Sequence, residues 1–414
     1  MQGPVQNGLI QAVGDIRFIE SAPRLDTSAP AFLSREATMP VRQFHMSLEN
    51  YAPSPLRVLK TLAAQWGLGA VCIKDESDRF GLKAFKALGG SYAMFRIACK
   101  MLGLDDRKTV QTDLYRPEFQ EQLKQMEFVT ATDGNHGKGV AWAAAKLGCR
   151  SHVYMPRGSV EARAEAIRRA GAAEVVVTDV GYDDTVRHAA KLAAENGWYL
   201  VQDTSWPGYE DIPSWIVQGY TTLIYEALDQ LQGSGMGAPT HVFLQAGVGA
   251  MAGSVLGALR CTMGKRLPCV AIVEPDTAAC IFESARQNDQ LPHRATGSEQ
   301  TIMAGLNCSE PCSLTWPILR DFSSAFFSCP DWVSERGMRI LAKPQGEDNR
   351  IVSGESGAVT GGLLSLLMEM REMNELRERL GLNEHSVVLL VNTEGDTDPE
   401  GYRHILSEGG REAI

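Results

Sequence analysis

The sequence predicts an α/β protein with mainly parallel sheet. Short apolar runs rich in Val and Ile alternate with amphipathic stretches of ten to eighteen residues, the pattern of strands covered by helices. Three of these strand runs lead into glycine-bearing turns and then a helix, at 74–90, 130–139 and 241–253. A chain of 414 residues, 44% hydrophobic and 22% charged, buries a large core and points to two domains, or one large domain with an insertion. Disorder and small disulfide-stapled folds are excluded on the same grounds.

In chain order, the first 65 residues have weak periodicity and are expected to wrap the main body or join a subunit interface. Ala70-Val71-Cys72-Ile73 opens a strand at 70–74, its unbroken apolar run marking burial on both faces. A helix at 91–100 follows two glycines. Strands at 127–130, 151–155, 174–178 and 198–202 then alternate with helices at 138–147, 160–170 and 183–195, each switching from β-branched runs to helical spacing. The glycine-rich piece 232–239 reads as a surface loop. It precedes a strand at 241–245, a helix at 251–260, a strand at 269–273, a helix at 357–373 and a last strand at 386–392.

A net charge of -10 argues against nucleic acid or an anionic membrane as partner, since both need a concentrated basic surface. The first twenty residues lack a basic segment followed by an apolar run, and no stretch approaches the roughly 18 apolar residues of a membrane span. A cytoplasmic protein is expected. Nine cysteines are scattered without a CxxC pair and read as buried free thiols. Cys308 and Cys312, in a polar loop, are the two to watch for oxidation, and the lack of a nearby histidine argues against zinc.

The first turn, Ala84-Phe85-Lys86-Ala87-Leu88-Gly89-Gly90, sets a lysine among apolar neighbours. Desolvation lowers a lysine's pKa and makes it nucleophilic, and the glycines admit a cofactor close to the backbone. A lysine snorkelling along a helix start gives the same segment. In the second turn, Thr132-Asp133-Gly134-Asn135-His136, open N–H groups at a helix start suit a carboxylate, although a capping turn also uses Asp and Asn. The third, Gly247-Val248-Gly249-Ala250, suits a phosphate. With Ala252 and Glu274 it also satisfies a dinucleotide fingerprint, which keeps a nicotinamide-dependent dehydrogenase in view.

Taken together, these segments resemble the S-F-K-x-R-G-A, S-x-G-N-H-x-x-G and glycine-rich loops of the fold type II pyridoxal-phosphate (PLP) enzymes, in the same chain order. Leu88 departs from the arginine of the dehydratases. The resemblance implies two open, mainly parallel sheets covered by helices, with a large cofactor domain (1–91 and 205–414) and a smaller mobile domain (92–204). It implies Lys86 as the cofactor lysine, with Lys83 as nearest rival. Phe85, Asn135, Gly247, Val248, Gly249 and Ala250 become cofactor contacts, with Asn135 at the ring's O3′, while Thr132, Gly134 and His136 hold the substrate carboxylate. Thr393, after the last strand, stands where these enzymes place a neutral hydroxyl beside the pyridine nitrogen; an acidic turn is the plainer reading of that segment. Glu355 serves either as a cofactor contact or as a helix N-terminal acid favoured by the dipole.

With Gln202-Asp203-Thr204-Ser205-Trp206, Met303-Ala304-Gly305-Leu306-Asn307 and Ser353-Gly354-Glu355-Ser356-Gly357, the motifs are similar to one group of this family, the diaminopropionate ammonia-lyases. These eliminate ammonia from both enantiomers of a small diamino acid to give pyruvate and two ammonia molecules. Asp133 replaces a small neutral residue of the dehydratases, and an anion beside a carboxylate site needs a compensating role. It serves as a general base or attracts a second ammonium. The resemblance implies that Asp133 serves the D isomer and Asp203 the L isomer, since the two present their α-hydrogens to opposite faces of a planar cofactor. A turn aspartate is the plainer reading of Asp203. A homodimer, a small amino-acid substrate and no metal follow from the same likeness, and a serine or threonine dehydratase is the neighbouring alternative.

Overall fold

The computed structural model describes residues 9–297 and 300–408. Its strands are β1 (Gln11–Val13), β2 (Ile16–Glu20), β3 (Leu56–Val58), β4 (Ala70–Asp75), β5 (Glu127–Ala131), β6 (Arg150–Met155), β7 (Glu174–Val177), β8 (Tyr199–Leu200), β9 (His241–Gln245), β10 (Cys269–Pro275), β11 (Ala325–Cys329) and β12 (Val387–Asn392). They form an eight-stranded sheet in the order β1-β2-β11-β10-β9-β12-β4-β3 and a four-stranded sheet in the order β7-β6-β5-β8. The smaller sheet is parallel throughout. In the larger, the run from β11 to β4 is parallel, and antiparallel strands close both edges.

Alternation along the inner strands explains why their sequences are apolar without interruption. Val270 and Ile272 of β10, with Leu389 and Val391 of β12, enter the core that also holds Phe128, Val129 and Leu200 of the smaller sheet. Ala271, Val273, Val388 and Leu390 face a second core on the opposite side. Side chains that alternate between two buried faces cannot alternate in polarity.

The weakly periodic N-terminal region does wrap the body: it supplies β1, β2 and β3 and the helix Met39–Met46. Several further elements escape the sequence reading, among them the longest helix and strand β11. The helix Asp211–Gly233 is buried on most of its circumference, so its sequence lacks an amphipathic stripe. It packs so closely on the helix Ala87–Leu102 that a Cβ at Gly219 would lie 2.6 Å from the Leu88 carbonyl oxygen. Strand β11, Ala-Phe-Phe-Ser-Cys, is short and bounded by no glycine. The strand expected at 198–202 ends at Leu200, because Gln202 turns inward to bond Thr130 Oγ1, the Ala131 N–H and Tyr182 Oη. The strands of the smaller sheet all fall within 92–204, while residue 92 itself lies inside the helix Ala87–Leu102. Among the described residues, no helix is long and apolar enough to cross a membrane.

A buried ionic network underlies the first turn. Lys74 Nζ on β4 donates to Glu226 Oε2 at 2.7 Å and to the Ser54 carbonyl at 2.7 Å. Arg79 bonds both Glu226 and Glu76. All four side chains are buried, so each charge depends on the others for compensation. Glu226→Ala is expected to cost about 3–5 kcal/mol by stranding Lys74 and part of Arg79. Urea denaturation of the variant beside the parent measures that loss.

Candidate active site

Lys86 immediately precedes the helix Ala87–Leu102. Its ammonium pairs with the buried carboxylate of Asp203 and lies 5.5 Å from the Phe85 ring centroid and 5.9 Å from that of Tyr220. The apolar surroundings alone predict a lysine discharged by burial. Burial does push in that direction, but the Asp203 carboxylate outweighs it and raises the Lys86 pKa above the ordinary lysine value. For Asp203, burial pushes upward and the Lys86 ammonium more than reverses it, leaving the pKa at about 2. Lys83 is half-exposed and bonded to Asp396 Oδ1 at 2.7 Å, and it does not line the cleft that holds Lys86.

Thr132, Asp133, Gly134, Asn135 and His136 line the opposite wall, between β5 and the helix Asn135–Leu147. Thr132 Oγ1 accepts from the N–H groups of Gly134 (2.9 Å) and Gly137 (3.0 Å), so it caps the loop while sitting in the cleft wall. His136 is lowered from its ordinary pKa by burial. Its Nε2 meets the Val201 carbonyl at 2.8 Å, which assigns the proton to Nε2 and leaves Nδ1 as an unpartnered acceptor, 4.0 Å from Asp203. Burial raises Asp133 to about 7, with Arg163 and Lys86 pulling the other way.

The phosphate-type loop follows β9. Gly249 has φ +90°, a conformation costly for any residue with a Cβ, and it hands the chain to the helix Ala250–Met263. A Cβ on Gly247 would fall 3.2 Å from Leu306 Cα and 3.3 Å from Cys308 Sγ. The loop is thus a cradle that only a bare backbone leaves open. Gly247, Val248, Gly249 and Ala250 all border the cleft.

Thr393 follows the end of β12. Gln245 Nε2 donates to the Val391 carbonyl at 2.9 Å and to Thr393 Oγ1 at 3.0 Å. The threonine oxygen accepts there, which frees its own O–H to donate into the cleft.

Glu355 is placed differently. It opens the helix Glu355–Glu369 but does not line the cleft around Lys86. It borders an outer recess with Arg163 and Asp398, and burial raises it to about 7. Its place in the first turn of that helix matches the helix N-terminal reading. Glu274 also differs from a ribose-binding acid: both its oxygens accept backbone N–H groups, from Ile281 at 2.8 Å and Phe282 at 2.6 Å. That carboxylate is fully buried and turned to the chain's own backbone.

Sequence reasoning missed several lining residues: Arg163, Tyr182, Gln245, Cys308, Ser356 and Glu394. Gln245 ends the strand that leads into the third turn, while the others stand outside the three turns and are collected by the folded chain. Cys308 and Cys312 are both buried, with burial raising the Cys308 thiol well above its ordinary value.

A lysine, a bare-backbone anion cradle and an unspent hydroxyl in one cleft define a site for a phosphorylated aldehyde cofactor. The chain belongs to the pyridoxal-phosphate dependent enzyme family, whose family model matches residues 48–394. It is 50% identical over 370 residues to the diaminopropionate ammonia-lyase of Salmonella typhimurium, a match covering 89% of this chain and 91% of the relative. A crystal structure of the Escherichia coli diaminopropionate ammonia-lyase in complex with an aminoacrylate-PLP azomethine reaction intermediate superposes with a TM-score of 0.87. That structure is 44% identical, covering 98% of this chain and 99% of the other. The biosynthetic L-threonine dehydratase of Salmonella typhimurium is more distant, 28% identical over 55% of this chain and 37% of its own.

Lys86→Ala is expected to remove covalently held cofactor, read as loss of the protein's visible absorbance after gel filtration, while Lys83→Ala keeps it. Absorbance retained in K86A and lost in K83A reverses the assignment.

Proposed function

We propose that the protein is a diaminopropionate ammonia-lyase, converting D- and L-2,3-diaminopropionate to pyruvate and two ammonia molecules. The observation that carries this reading is the presence of two carboxylates, Asp133 and Asp203, in one cleft with Lys86. The relatives that match along most of the chain support it.

Bound through Lys86, pyridoxal phosphate supplies the electron sink that stabilises the carbanion left when the α-proton departs. Gly247, Val248, Gly249 and Ala250 would hold its phosphate with their N–H groups, Phe85 and Asn135 would contact the ring, and the Thr393 hydroxyl would serve its nitrogen. A neutral hydroxyl does not hold a proton on that nitrogen, which favours elimination over transamination. Thr132, Gly134 and His136 receive the substrate carboxylate.

Asp133 takes the α-proton of the D isomer and Asp203 that of the L isomer. Lys86 Nζ, freed when substrate binds, gives its proton to the departing β-nitrogen. The unsaturated amine released afterwards hydrolyses in water to pyruvate and the second ammonia. The smaller domain, 92–204, closes over bound substrate. A homodimer in the cytoplasm completes the reading, on the strength of the family resemblance.

A coupled pyruvate assay with both enantiomers, and with D- and L-serine alongside, tests it. Faster turnover of serine than of diaminopropionate makes the protein a dehydratase instead. The two aspartates also separate by pH. A base works only when ionised, so Asp133, raised to about 7, loses activity as pH falls below that value, while Asp203, held at about 2, stays ionised. Titration of the substrate is identical for enantiomers and cancels in their ratio. The D/L ratio of kcat/KM is expected to fall about tenfold per pH unit below roughly pH 7. Asp133→Asn is expected to abolish D turnover and to spare the L isomer. A ratio that stays flat with pH overturns the assignment.

A further inference from the structure

Glu394 has no part in the chemistry described so far, yet it is among the most constrained side chains of the cleft. It is 2% exposed and directly follows Thr393. Its carbonyl accepts from the Gly354 N–H at 3.0 Å, and its backbone bridges to Ala84, two residues from Lys86. Its carboxylate is divided between two segments: Oε1 accepts from the Ser356 N–H at 2.9 Å, and Oε2 accepts from Asn135 Nδ2.

The second contact carries information that the first does not. An asparagine amide is nearly symmetric in shape, so its two ends exchange by a flip unless a neighbour distinguishes donor from acceptor. An ionised carboxylate only accepts, and therefore selects the orientation with Nδ2 toward Glu394. That leaves the second N–H of the same nitrogen for another acceptor, and Asn135 borders the cleft that holds Lys86. Lys138, on the same helix as Asn135 and buried, is lowered to about 8 by burial, with the Glu394 carboxylate acting against that fall.

We propose that Glu394 is a positioning residue that locks the Asn135 amide with one N–H presented to an oxygen of the cofactor carried by Lys86. It acts across the two sheets, since Glu394 extends from β12 of the larger and Asn135 follows β5 of the smaller. This inference rests on the reading of Lys86 and Asn135 as cofactor-binding groups.

Glu394→Gln tests it, because glutamine keeps the shape but offers the amide both a donor and an acceptor and so permits the flip. Titration of the cofactor-stripped protein with pyridoxal phosphate is expected to give a dissociation constant about tenfold higher for E394Q than for the parent. The absorption band of the reloaded enzyme is expected to shift. In an Asn135→Ala background the same substitution is expected to change neither readout further, because the group it acts through is gone. Glu394→Asp, whose carboxylate is one methylene short of Asn135, is expected to shift the band in the same way and to lose that effect in N135A. E394Q or E394D matching the parent in both readouts overturns the proposal, as does an effect that persists undiminished in N135A. If the parent chain takes up no cofactor, the functional reading fails first, which separates the two outcomes.

Discussion

The Phe85 N–H donates to the Thr393 carbonyl at 3.2 Å, and the Gly395 N–H donates to the Lys83 carbonyl at 3.0 Å. The chain leaving β12 therefore runs antiparallel to the segment that carries Lys86, and most of the cleft follows from that pairing. It fixes the lysine at the start of its helix and sets the Thr393 hydroxyl and the Glu394 carboxylate beside it. At the other end of the segment, the Glu76–Arg79–Glu226–Lys74 network anchors the turn to the long helix Asp211–Gly233. A reactive lysine held at both ends loses little freedom when it binds, which is the physical content of preorganisation.

Two aspartates in one cleft acquire opposite proton affinities from their neighbours alone. Asp203 touches the Lys86 ammonium and is acidified to about 2 despite burial. Asp133 has only longer-range help from Arg163 and Lys86, so burial prevails and it rises to about 7. The same residue type thus provides one permanently charged group and one that titrates near neutrality.

Much of this architecture was legible in the sequence, for identifiable reasons. Strands such as β4, β9 and β12 announce themselves because both faces are buried and each carries an unbroken apolar run, with polar residues only at the strand ends. The edge strands β1 and β3, and β2 beside β1, run for only three to five residues, with no position of β1 or β3 fully buried, and leave no pattern. The three turns were readable because glycine spacing is a local property. The Lys86–Asp203 pair, 117 residues apart, and the Asn135–Glu394 bond, 259 apart, are properties of the fold. Local reasoning therefore saw the burial of Lys86 but not the carboxylate that keeps it charged, and did not see that Glu355 borders an outer recess with Arg163 and Asp398.

The ion pair of Lys86 and Asp203 has a meaning for the life of the protein before its cofactor arrives. An ammonium has no lone pair and does not attack carbonyls. While that pair is intact, the cleft lysine does not react with stray aldehydes and ketones, and attack on the right aldehyde begins with loss of that proton. The phosphate cradle fixes which aldehyde stays long enough for this to happen.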